Sequence, residues 1–314
     1  MKKLAITLAV LVPLSSYSLA NDSTGYVGTG GIQYLKNSQV AMQSEDLFIS
    51  KKIIKVDYLY KNLSSKDVTE TILFPLPRID NFFESDFADT EALLKSFKIV
   101  VDGQNIKPEM HVRTFIQKDD KSPLMDVTDE FKQCGFTEKD MLNPWTPTKY
   151  DYEFYLDKLK QCNKPQMQKL VAQFEKDDVI PWSSQVIYSW KQTFKANSLT
   201  KIHHEYKPLV GGSVALYPDE DSKQFCMDKQ FKQGLKKARA EHSPFSALGY
   251  ILTTGANWAK PIENFKLTIE RDKDELVSFC WDGQVKKISP TQFQMSKTKF
   301  VPKRDLDIIF VQVR

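Results

Sequence analysis

The feature that most limits the fold of this chain is an alternation of apolar and polar residues with a period of two. In KKIIKVDYLYKN, Ile54, Val56, Tyr58 and Tyr60 fall on one face, with Lys55 and Asp57 on the other. A strand buried on one face has this signature, because successive side chains point to opposite sides. FKIVVDGQNI alternates likewise and then turns at Asp102-Gly103, a hairpin dipeptide. The same rhythm groups Val186 with Tyr188 and Trp190, Ile202 with His204 and Tyr206, and Phe265 with Leu267 and Ile269. LVSFCWDGQVKKIS predicts a second hairpin around Asp282-Gly283, and DLDIIFVQV closes the chain. Many short alternating runs punctuated by Gly, Asn and Asp predict a mainly β fold of antiparallel β-sandwich type.

One stretch departs from this rhythm. Residues 118–184 are largely polar and helix-patterned, so they are expected as a helical insertion projecting from the rim of the β structure. Thr137 with Asp140 forms a capping box, Pro144 stops that helix, and Pro165 suits a first helical turn. Tyr152, Tyr155, Leu156 and Leu159 repeat at helical spacing, as do Met167, Leu170, Val171 and Phe174. Such stripes serve to pack helices onto a sheet. The expected division is then a first sandwich from 21–117 plus 185–217, the insertion at 118–184, and a helical linker at 218–247. Residues 248–314 are expected to build a second, smaller β unit. In ETILFPLPRID, Pro75 and Pro77 cannot donate to a ladder. The chain is expected to leave the sheet there, with Leu76 capping the core.

The amino end carries an export leader. Lys2 and Lys3 precede an apolar run from Leu4 to Leu14, and Ser18-Leu19-Ala20 gives a cleavage site after Ala20. About 11 apolar residues fall short of the roughly 20 that a membrane span needs. No later run is longer, so the mature chain reads as exported, soluble and periplasmic. Removing Lys2 and Lys3 takes the formal charge from +4 to +2. That balance argues against nucleic acid and against a polybasic membrane patch. Cys134, Cys162, Cys226 and Cys280 are even in number, which in an oxidising compartment favours bridges. Three pairings are possible. Local closure, Cys134–Cys162 within the insertion and Cys226–Cys280 in the last third, is the simplest.

The stretches SEDLFIS, VDYLYKNLSSKDVTETILFPLP, WKQTFKANSLTKIHHEYKPLVGGS and TTGANWAKPIENFKLTIERDKDELVSFCWDG resemble an exported bacterial family catalogued as domain of unknown function 4424. KKISPTQFQMSKTKFVPKRDLDIIF continues the likeness, which covers nearly the whole mature chain. Both Cys226 and Cys280 fall in stretches that resemble the family. The resemblance implies no reaction and no ligand. YKNLSSKDVTETILFPLP, VVDGQNIKPE and FKANSLTKIHHEYKPL are more loosely similar to vault/inter-alpha-trypsin domains. That similarity implies a β-sandwich module associated with interaction.

Chemistry-bearing motifs fail on their spacing. HHEYK lacks a second zincin histidine, since Pro208 stands four residues after His204, and strand alternation sends His203 and His204 to opposite faces. His204 reads as a core imidazole between Ile202 and Tyr206. GTGG at 28–31 lacks dinucleotide-loop spacing and reads as a turn. GGSV at 211–214 is no nucleophile elbow, because Ala215 replaces the closing glycine. The carboxylate pairs Glu45-Asp46 and Asp119-Asp120 are expected on a solvated loop or edge. Trp145, Trp182 and Trp258 offer either core anchors or a surface for a partner. No catalytic, metal or cofactor residue is assigned. The chain reads as a non-catalytic module binding a protein or cell-envelope component; the alternative is an envelope hydrolase whose site is assembled from distant residues.

Overall fold

The structure, a computed structural model, describes residues 21–28, 31–80, 90–117, 122–142, 152–174 and 182–313. The leader, Pro144, Trp145 and the Asp119-Asp120 pair lie outside these residues.

Among the described residues the chain is mainly β, with strands in three sheets. An eight-stranded sheet runs in the order Lys286–Lys287, Gln292–Phe300, Ile262–Glu270, Val40–Ile49, Ile54–Asn62, Leu199–Tyr206, Lys98–Val101, Gln104–Ile106. A seven-stranded sheet runs Met125–Asp126, Glu109–Ile116, Ser183–Phe194, Val68–Pro75, Ser23–Gly28, Gly31–Leu35, with Ile79–Asp80 also on Ser183–Phe194. Gly211–Ser213, Phe245–Tyr250, Leu306–Gln312 and Glu275–Phe279 form a four-stranded sheet.

The two large sheets share one core, because their alternating residues turn toward each other. Ile54, Val56, Tyr58 and Tyr60 are buried while Lys55 and Asp57 are exposed. Across from them, Phe194 meets Tyr60 at 5.7 Å between ring centroids, and Phe74 and Trp190 meet His204 at 4.7 and 5.5 Å. Each aromatic pair at such spacing contributes roughly 0.5–1.5 kcal/mol beyond its buried area. At Asp102-Gly103 the hairpin forms as expected, with both residues at positive φ (47° and 84°), the requirement of a type I′ turn.

Four expectations are corrected. First, the chain stays beside Ser183–Phe194 after Pro75. Leu76 N–H donates to Val186 O at 2.8 Å, and Ile79 pairs with Ser184. Between the pairs Pro75–Ile187 and Ile79–Ser184, three residues face two, so the prolines make a bulge. Leu76 is fully buried. Second, Asp282-Gly283 is no hairpin. Glu275–Phe279 pairs with Leu306–Gln312, whereas Lys286–Lys287 pairs with Gln292–Phe300, so the segment carries the chain from one sheet to another. Third, residues 248–314 do not pair among themselves alone. Ile262–Glu270 lies parallel to Val40–Ile49, and Gly211–Ser213 joins the carboxy-terminal strands. Parallel pairing needs a long crossover, which a reading of local runs cannot supply.

Fourth, the helical segment does not project. It connects the neighbouring antiparallel strands Glu109–Ile116 and Ser183–Phe194, so it leaves and re-enters at one end of the sheet. Its apolar residues Phe131, Met141, Leu159, Met167 and Trp182 belong to the same core as the sheets. Trp182 Nε1 and Ser184 Oγ both donate to Met141 O, at 3.2 and 2.6 Å. Of the two helical stripes, Tyr155, Leu156, Leu159, Met167, Leu170 and Phe174 are buried, as amphipathic helices packed on a core require. The expected capping box is present: Thr137 N–H donates to Asp140 Oδ2 at 2.8 Å, and Asp140 N–H to Thr137 Oγ1 at 3.2 Å. Pro165 opens the helix Pro165–Val171.

Candidate functional site

Two places hold polar groups in arrangements that the fold alone does not require. The first is a cluster inside the core. The amino-terminal strand Ser23–Gly28 enters the seven-stranded sheet beside Leu73 and Ile72, and this draws Asn21 and Asp22 between the sheets, both fully buried. Asp22 accepts from Tyr60 Oη at 3.1 Å, lies 3.0 Å from His204 Nε2, and its carbonyl accepts from Trp258 Nε1 at 2.9 Å. Asn21 Nδ2 donates to both oxygens of Glu45, at 3.2 and 3.1 Å, while Tyr58 Oη donates to Asn21 Oδ1. Tyr250 Oη sits 3.3 Å from Tyr58 Oη.

Burial pushes the Glu45 carboxyl up to about 8; its hydrogen bond from Asn21 opposes this and the neighbouring Asp22 adds to it. Burial likewise drives the phenols of Tyr58, Tyr60 and Tyr250 well above the ordinary range, so they remain protonated donors. Asp22 and His204 are fully buried, and among the described residues the imidazole Nδ1 has no hydrogen-bond partner.

The second place is open. A groove of about 980 Å³ runs along the strand Glu275–Phe279, which is the edge of the four-stranded sheet. One wall comes from Phe231 and Gly234, on the helix Lys229–Ala238; Lys287 and Phe293, from the far end of the eight-stranded sheet, also line it. The edge strand is fixed at both ends. Lys51 pairs with Glu275 at its start, and Cys280, just after its end, is bridged to Cys226. In between, Ser278 Oγ donates to Phe225 O at 2.9 Å.

The ladder determines which backbone groups the strand offers. Val313 N–H donates to Asp274 O, so Asp274, Leu276 and Ser278 turn their polar groups toward Leu306–Gln312. By antiparallel alternation, Glu275, Val277 and Phe279 turn theirs outward. No strand pairs with that edge among the described residues. Arg271 braces the groove's rim by donating to the carbonyls of Asp272, Lys273 and Pro290. Asp282 is matched by Lys297 at 3.3 Å. Arg304 and Lys287 line the groove without an ion pair among the described residues.

The four cysteines are bridged as Cys134–Cys162 and Cys226–Cys280, with Cα separations of 5.5 and 5.0 Å. The second bridge borders the groove; the first lies in the helical segment. His203 and His204 do face opposite sides: His203 pairs with exposed Asp57 at 2.8 Å, while His204 is in the core. Trp182 and Trp258 are buried anchors. Glu45 corrects an expectation, for it is buried whereas its neighbour Asp46 is half exposed and pairs with Lys266. Strand parity in SEDLFIS would have found it, since Glu45 shares a face with Leu47 and Ile49. Nothing local announces Asn21 or Asp22. Among the described residues no cluster of three or more His, Cys, Asp or Glu could hold a metal ion.

Fold and site together define a mainly β, twice disulfide-bridged protein with a sealed polar cluster and an open groove at a sheet edge. Residues 20–309 match the family described as "Domain of unknown function (DUF4424)", and the chain belongs to that family. No curated protein matches it in sequence. Among solved structures it is similar to a Legionella pneumophila protein described as a "putative nutrient binding protein", at 13% identity and a TM-score of 0.43, over 93% of this chain and 70% of that one. It is also similar to a two-domain M1 zinc metallopeptidase bound to L-tryptophan, at 10% identity and a TM-score of 0.24, over 88% of this chain and 44% of the enzyme. Neither likeness is close enough to carry function to this chain.

Proposed function

We propose that the protein is an exported, periplasmic, non-catalytic module of β-sandwich build. In this reading an extended polypeptide segment docks along the free edge of Glu275–Phe279. The observation that carries it is the row of outward backbone groups at Glu275, Val277 and Phe279, held rigid inside an open groove. An added strand is bound by main-chain hydrogen bonds and selected by side-chain pockets. The anchoring of the edge at Lys51 and Cys280 supports the reading, because a site already ordered loses less entropy on binding. Phe231, Phe279 and Phe293 give the segment apolar contacts, while Arg304 and Lys287 favour acidic side chains on it. The sealed His204–Asp22 pair does not favour the hydrolase alternative.

A photo-reactive residue at position 285, in the groove, tests this in the intact cell envelope, with position 110 as an exposed control. Adducts specific to position 285, mapped to an extended acidic segment, are expected. A Val277→Pro variant should fold normally, because only an outward donor is lost, and should abolish the adduct. Equal labelling from both positions, or an adduct that survives Val277→Pro, would count against the edge.

A further inference from the structure

The polar cluster in the core leaves one carboxyl without a cationic partner among the described residues. Asp22 and Glu45 are both carboxylates enclosed by the core. Asp22 has His204 and Tyr60. Glu45 has the neutral amide of Asn21, and among the described residues no Lys or Arg forms an ion pair with it. An amide carries no charge to balance a buried carboxylate, and burial itself pushes the Glu45 carboxyl upward.

Asn21 is also the residue that the leader's cleavage site would make the first of the mature chain. We propose that the mature protein begins at Asn21 within its own core, and that the new α-ammonium group is the counter-ion of Glu45, so that leader removal completes the fold. The inference rests on cleavage after Ala20. In that step water adds across the Ala20–Asn21 peptide bond, leaving a carboxylate on Ala20 and an amine on Asn21, which takes up a proton. The α-nitrogen of an asparagine lies within roughly 5 Å of its own Nδ2. Here Nδ2 already touches both Glu45 oxygens, so rotation about the first residue brings the ammonium onto the carboxylate. Before cleavage the same nitrogen is an uncharged amide. The titratable groups around Glu45 are Asp22 ahead of the first strand, Tyr58 and Tyr60 on Ile54–Asn62, His204 on Leu199–Tyr206, and Tyr250 on Phe245–Tyr250. Among them the phenols stay neutral and His204 lies against Asp22, so none sets a positive charge on Glu45.

Two forms of the purified, disulfide-bonded protein test the proposal: one starting at Asn21, one starting at Ala20. Acylation of the α-amine by an amine-reactive ester at pH 7 should be about tenfold or more slower in the folded Asn21 form than in the same chain unfolded, since an exposed α-amine is partly deprotonated there. The Asn21 form should also melt several degrees above the Ala20 form. Glu45→Gln should restore reactivity and erase the difference between the two termini. If that variant does not fold, the comparison of the two termini decides alone. Equal acylation of folded and unfolded chains, or equal melting of the two forms, would overturn the proposal. Mass analysis of the exported protein separates the other failure: a terminus elsewhere than Asn21 would refute the cleavage site itself.

Discussion

Glu45 shows how one side chain sets a pH dependence. Its carboxyl titrates near 4.3 in an unfolded chain, and burial raises it to about 8 in the folded one. The folded state therefore holds an extra proton between these values, so stability is greatest at the acid end of that window and is lost as pH rises through it. A chain extended at its amino end should lose stability between pH 5 and 8, and Glu45→Gln should flatten that slope in urea titrations. A slope unchanged by Glu45→Gln would exclude Glu45 as its source. Residue-scale features were legible where parity decides them. His204 reads as a core imidazole from its own strand, and Glu45 was readable by the same rule. Asp22 was not, because its partners Tyr60, His204 and Trp258 lie far away in sequence.

Elements were legible where the partner is next in sequence. The Asp102-Gly103 hairpin and the Thr137–Asp140 box are local devices and form as read. The Asp282-Gly283 segment has the same dipeptide, but the strand before it pairs with Leu306–Gln312, whose inner residues Ile308 and Phe310 are fully buried. Pairing with that core strand outweighs a turn signal. The carboxy-terminal sheet also explains a glycine. A Cβ on Gly212 would stand 2.2 Å from Phe245 O, so Gly212→Ala should cost about 1–3 kcal/mol in denaturant unfolding as Gly211–Ser213 is pushed from its neighbour. An unchanged midpoint would show that this short strand adds nothing. The helical segment gives a third test. Replacing Cys134 and Cys162 by serine should cost about 3 kcal/mol. Because Phe131 and Met141 belong to the shared core, near-UV and far-UV signals should lose their midpoints together. Melting of the helices alone, with the sheets intact, would mean that the segment is a separate unit after all.

At the scale of the whole molecule, bridging and the mainly β build were readable, because each depends on a local run or a count. The sheet order was not. Val40–Ile49 beside Ile262–Glu270 joins distant parts of the chain, and the groove gathers its lining from residues spread over 226–304. The proposed role requires that the edge at Glu275–Phe279 accept a strand. Site-resolved amide hydrogen exchange, measured on the purified protein with and without the segment captured at position 285, answers this directly. The amides of Val277 and Phe279 should exchange rapidly in the free protein and slow by about tenfold or more on binding, with Leu276 and Ser278 little changed. Protection elsewhere, with Val277 and Phe279 unaltered, would contradict it.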